Sequence, residues 1–117
     1  MRFLLSFMMD PANPPGAELN DKCFEEMMTF VSELTKSGRL LFDSQIMPQP
    51  SVVQFRAVGA SIEEIHLPSS LVLGGFFVIS ATTEAEARAL VRRCPHLQVG
   101  PVELRHLNET EENAYRP

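Results

Sequence analysis

The sequence is short of the residues that mark several functional classes. It has two cysteines, Cys23 and Cys94, too few for a disulfide framework and without the paired spacing of a zinc site. Each falls on the apolar face of an expected helix, where a thiol packs as a small hydrophobe. Cations are few and scattered: ten Lys and Arg against fifteen Asp and Glu leave a formal net charge of −5, with only Arg92 and Arg93 adjacent. No basic stripe offers itself to a phosphate backbone, so a nucleic-acid partner is not expected. No apolar run approaches the roughly 20 residues that cross a bilayer, so no membrane partner is expected and the expected location is cytoplasmic. The first nine residues resemble a signal peptide, but Asp10-Pro11 stops the run and no small-residue cleavage site follows. They read as a strand. No glycine loop precedes a helix to cradle a phosphate, and three histidines without clustered acids offer no metal site, so no cofactor is expected. Asn108-Glu109-Thr110 has the form of a glycosylation acceptor without a secretory signal to give it occasion.

What is present is enough for a core. With 117 residues, 44% of them hydrophobic and 21% charged, the chain fits one domain, expected over residues 1–107 and followed by a polar tail at 108–117. Residues 2–9 form the expected first strand, and the prolines at 11, 14 and 15 make the loop after it. Helix one is expected to start near Asn20 or Asp21 as caps, with Phe24, Met27, Met28, Val31 and Leu34 as its apolar stripe and Gly38 as its stop. Residues 39–47 and 51–58 read as two strands joined by a turn at Pro48-Gln49-Pro50, hence a hairpin. Ile62 to Ser70 reads as a loop or short edge strand. Leu71 to Ala81 has the almost unbroken apolar pattern of a central strand, with Gly74-Gly75 pointing to a bulge or a close backbone approach. Thr83 and Glu86 make a capping box for helix two, whose apolar face is Ala87, Leu90, Val91 and Cys94, and Pro95 ends it. Residues 99–107 alternate as a last strand.

The expected layout is ferredoxin-like βαββαβ, an α+β fold with one antiparallel sheet and both helices on one face. The first strand and the central strand, however, are apolar at odd and even positions alike, whereas a sheet with one wet face should alternate. A second copy is the simplest cover for the bare face, so the partner expected is the chain itself, as a homodimer. Five or six side chains buried there would contribute on the order of 10 kcal/mol before association costs.

Several motifs in this order resemble the YCII-related family in its DGPF-type branch. They are Leu73-Gly74-Gly75-Phe76-Phe77-Val78-Ile79, the helix with Glu84-Ala85-Glu86-Ala87, Arg93-Cys94-Pro95, and Val102-Glu103-Leu104-Arg105. The resemblance also takes in the first strand ending at Asp10 and the stretch from Gly38 through Pro48 to Phe55-Arg56. It implies a dimeric α+β barrel, two sheets face to face around a small cavity. The chain departs from the branch where its Asp-Gly-Pro-Phe signature would stand, carrying Glu63-Glu64-Ile65-His66-Leu67-Pro68 instead. It also has no histidine in helix one to match the His-plus-Asp pair of other YCII proteins.

Of the three histidines, His96 and His106 read as surface side chains. His66 lies just before the central strand with Glu63 and Glu64 nearby, and a histidine oriented by a carboxylate moves protons near neutral pH. Asp43 interrupts an apolar strand, either at a wet edge or aimed into a cavity. The candidate catalytic set is therefore His66, Asp43, Glu63 and Glu64. Arg56 and Arg105 offer planar donors to a substrate oxygen, and Met8 and Phe76 an apolar lining. Two functions fit: a cofactor-independent lyase, isomerase or cyclase acting on a small apolar or aromatic metabolite, or a non-catalytic small-ligand binder or accessory protein of the same fold.

Overall fold

In the computed structural model, residues 1–46, 51–68 and 72–109 are described. Strand β1 (Arg2–Met9) leads to helix α1 (Ala17–Lys36) and strand β2 (Leu40–Gln45). Strands β3 (Ser51–Val58) and β4 (Ser61–Pro68) follow, then β5 (Val72–Ser80), helix α2 (Glu84–Arg92), a 3-10 turn (Pro95–Gln98) and β6 (Val102–His106). One sheet has the order β2-β5-β1-β6, with β5 antiparallel to β2 and to β1, and β1 antiparallel to β6. With the β3–β4 hairpin set aside, this is the strand order of a ferredoxin-like βαββαβ domain, and the expected fold class holds.

The expected hairpin between 39–47 and 51–58 does not form. β2 pairs with β5, while β3 pairs with β4, and Ile62 to Ser70, expected as a loop or short edge strand, supplies the full strand β4. Strand patterning records which face a side chain takes, not which strand lies alongside, so adjacency in sequence misled. The Gly59-Ala60 tip is short enough to close β3 onto β4, and Gly59 takes a φ of 61° at the first central position, which type II′ hairpin turns give to glycine. The Pro48-Gln49-Pro50 turn, residues 69–71 and most of the 108–117 tail lie outside the described residues.

Helix α1 starts at Ala17, with Gly16 as an extended N-cap, rather than at Asn20 or Asp21. Ala17, Glu18 and Leu19 are good helix formers, so the helix extends back until the prolines stop it. Its end is as expected: the Gly38 N–H donates to the Thr35 carbonyl at 3.1 Å and the Arg39 N–H to the Leu34 carbonyl at 2.8 Å, a Schellman closure. The buried stripe is Cys23, Phe30 and Leu34, with Met27 and Val31 partly buried. Phe24 and Met28 are 58% and 57% exposed, so the helix is turned from its expected stripe.

Helix α2 is capped as its sequence predicts. Thr83 Oγ1 accepts from the Glu86 N–H at 3.1 Å, and the Glu86 carboxylate accepts from the Thr82 N–H at 3.0 Å. Between helices and sheet lies a single core of Phe3, Leu5, Phe7, Phe77 and Ile79 from the strands with Phe30, Leu34, Ala87 and Leu90 from the helices. The bulge expected at Gly74-Gly75 is present: Phe7 pairs with Gly75 and Met8 with Leu73, leaving Gly74 as the extra residue.

Candidate functional site

Alternation along the strands sets the geometry of the bare face. Phe3, Leu5 and Phe7 point to the helices, so Leu4, Ser6 and Met8 point away. Cross-strand pairing carries the same face across the sheet. Leu4 lies between Val78 and Arg105, Ser6 between Phe76 and Glu103, and on β2 Phe42 pairs with Val78 and Ser44 with Phe76. Phe42 stacks on Phe76 with ring centroids 5.8 Å apart. Phe42 is 56% exposed and Leu73, paired with Met8, is 36% exposed. At the β6 side Arg105 donates to the Glu103 carboxylate at 3.0 Å. The face is thus an apolar, partly aromatic platform with one ion pair along its rim.

Three of the expected binding residues, Met8, Phe76 and Arg105, meet on this platform. Phe42, Leu4 and Val78 belong to it as well and were not singled out from the sequence, although the apolar run Leu40-Leu41-Phe42 was a signal. Asp43 does not join them. Its register partner is Phe77, so it lies on the helix-covered side at the exposed edge strand. An acid there meets water at no desolvation cost.

The remaining candidates sit on the β3–β4 hairpin. Val53 pairs with His66, Phe55 with Glu64 and Ala57 with Ile62, so these side chains share one face. Arg56 pairs with Glu63 on the opposite face. Of the two glutamates only Glu64 is therefore on His66's face, two residues along the strand or about 6.6 Å of backbone rise. His66, Glu63, Glu64 and Arg56 are all exposed, and Arg56 Nε donates to the Gln54 side-chain oxygen. Among the described residues the hairpin makes no substantial contact with the rest of the chain.

His96, expected at the surface, is 7% exposed. Its Nε2 lies 2.8 Å from the Met8 carbonyl and its ring is 5.2 Å from that of Phe7, because the 3-10 turn after Pro95 folds the segment back under β1. Burial lowers its pKa, and the Met8 carbonyl opposes that shift. His106 is exposed, as expected, and stacks on Phe3 at 4.8 Å. Both thiols are free and buried, again as expected, and burial raises the Cys94 pKa to about 11. Such a thiol has no thiolate to offer near neutral pH. Among the described residues no three His, Cys, Asp or Glu side chains gather as a metal cluster, and no helix is long and apolar enough to cross a membrane.

The chain is thus an α+β domain with one sheet face under two helices and the other bare, carrying an aromatic platform. The chain belongs to the family of the YCII-related domain, which it matches over residues 1–111. No curated protein matches it. Among solved structures it is similar to 5-chloro-2-hydroxyhydroquinone dehydrochlorinase (TftG) from Burkholderia phenoliruptrix AC1100, in complex with 2,5-dihydroxybenzoquinone. The TM-score is 0.55 at 11% identity, with 97% of this chain and 99% of that chain covered. A likeness at that identity speaks for the fold, which does not by itself fix a function.

Proposed function

We propose that the protein is a small cofactor-independent enzyme of the lyase, isomerase or cyclase kind, working as a cytoplasmic homodimer by proton transfer on a small, largely apolar or aromatic metabolite. The observation that carries the proposal is the bare sheet face, where Phe42 and Phe76 stack and the Arg105–Glu103 pair lies on the same face across β1. A flat ring is held by such stacking, and a guanidinium takes up negative charge developing on a ring oxygen. His66 is the proton-transfer group in this proposal, and Glu64, on the same hairpin face, is its orienting carboxylate. Glu63 and Arg56 are turned to the other face, and Asp43 lies across the sheet, so each is a lesser candidate than the sequence implied. The similar fold of TftG, a dehydrochlorinase complexed with a dihydroxybenzoquinone, supports the choice of an aromatic or quinonoid ligand.

The competing function, a non-catalytic binder or accessory protein, is favoured by one observation: among the described residues His66 has no carboxylate within hydrogen-bond reach. The two are separated by incubating the protein in D2O with 2,5-dihydroxybenzoquinone or a dihydroxybenzene and following loss of the ring C–H signals by proton NMR. The enzyme reading expects protein-dependent exchange that falls about 100-fold or more in His66→Ala while sedimentation is unchanged, the usual range for a lost general acid–base. Binding without exchange supports the non-catalytic function. Exchange that His66→Ala leaves intact removes His66 from the chemistry.

A further inference from the structure

Among the described residues, the bare sheet face and the β3–β4 hairpin are the uncovered apolar surfaces built from strands, and the hairpin is the more exposed. Ile62 and Phe55, at 68% and 62%, are the most exposed large apolar side chains among the described residues. They share one face of the hairpin with Val53, His66 and Glu64. A two-stranded ribbon without a packing partner is only marginally stable in water, so this one needs a surface to lie on. The bare sheet face needs a cover in turn.

We infer that the β3–β4 hairpin of one copy lies across the bare sheet of a second copy. Each site then combines Phe42, Phe76 and Arg105 of one chain with His66 and Glu64 of the other. The inference rests on the homodimer proposed above and adds that the site is incomplete in a single chain. Three points favour a second copy as the occupant. Both bare surfaces are apolar and belong to the same chain, so a two-fold arrangement buries both twice over with no further partner. The area is also adequate: the exposed parts of Val53, Phe55 and Ile62 with Phe42 and Leu73 come to on the order of 450 Å² per chain, counting 150–200 Å² for a large open side chain. A standard interface takes roughly 800 Å² per partner, a little over half of it apolar, so the two surfaces meet the apolar share. Finally, the hairpin face carrying His66 and Glu64 also holds Phe55 and Ile62, which are more exposed than Val52 and Val58 on the other face, at 54% and 50%. Docking it would bring the titratable pair over the aromatic platform, which no contact within the chain does among the described residues.

The test needs no ligand. Cys23 and Cys94 are 6% and 3% exposed, so a nitroxide thiol reagent labels an introduced surface cysteine selectively. Ile62→Cys carries the label, and Ala57→Cys, on the same hairpin face, serves as a second site in case the first disturbs the surface. Labelled chains are refolded together with an equal amount of unlabelled, 15N-enriched wild-type chain, and the oligomeric state is followed by sedimentation. The expected result is a dimer in which the amide signals of Leu4, Phe76 and Val78 lose up to about half their intensity in the mixed sample, the share of 15N chains that pair with a labelled one, while those of α1, beneath the sheet, lose less. A dimer whose sheet amides keep full intensity with either label overturns the inference and leaves the homodimer standing. Broadening seen only when label and 15N share one chain also overturns it, since the hairpin then folds onto its own sheet. A monomer at micromolar concentration overturns both.

Discussion

Both faces of the four-stranded sheet carry large apolar side chains, and they are treated in opposite ways. On one, Phe3, Leu5, Phe7, Phe77 and Ile79 are at most 5% exposed beneath α1 and α2. On the other, Phe42 stands 56% exposed beside Phe76, and the hairpin carries Phe55 and Ile62 still more openly. The helix side is finished within the chain. The bare side resembles the interior of something larger, and large exposed apolar patches on a soluble domain mark interaction or ligand surfaces. Apolar content therefore says that a strand will be covered, while the cover itself is set by what the rest of the fold brings to it.

That contrast can be broken or sharpened by mutation. The largest effect is expected on the finished side: Leu5→Ala leaves a cavity where the side chain is fully buried and should cost about 2–5 kcal/mol in urea unfolding. A loss below 1 kcal/mol would mean that this face is no better packed than its opposite. Thr83→Ala removes the side-chain cap that holds the first turn of α2 and should cost about 1 kcal/mol, with Thr83→Ser restoring most of it. The smallest effect is expected from His96. His96 has its folded pKa lowered by burial, so the unfolded chain binds a proton more readily. Its contribution is complete above the unfolded value of about 6.5 and declines as pH falls through the window between that value and the lower folded one. Melting temperatures should therefore drop from pH 7.5 to pH 5. His96→Gln should flatten the His96 part of that slope.

Much of the candidate site was legible as residue types and little of it as an arrangement. Met8, Phe76 and Arg105 were picked out for chemistry alone, and the register places them on one platform. Glu63 and Glu64 looked equivalent beside His66, yet a strand's period of two puts only Glu64 on its face once 61–68 is known to be extended. Asp43 turned out to face the helix side at a wet edge, because a register irregularity between Leu40 and Phe42 resets the alternation along β2. His96 was expected outside because a loop after a proline usually is, and the 3-10 turn that carries it under β1 leaves no periodic trace in the sequence.

Local order alone determined the first strand, the Thr83–Glu86 cap of α2 and the Gly38 stop of α1. Each depends on residues a few positions apart, and the balance of caps, breakers and apolar spacing decides them before distant contacts form. Only the tertiary structure decided that β2 lies beside β5, that residues 51–68 leave the sheet as a separate hairpin, and which stripe of α1 is buried. Those outcomes turn on pairings between segments tens of residues apart, where the competing arrangements satisfy the same local patterns and differ only in how completely they close the core.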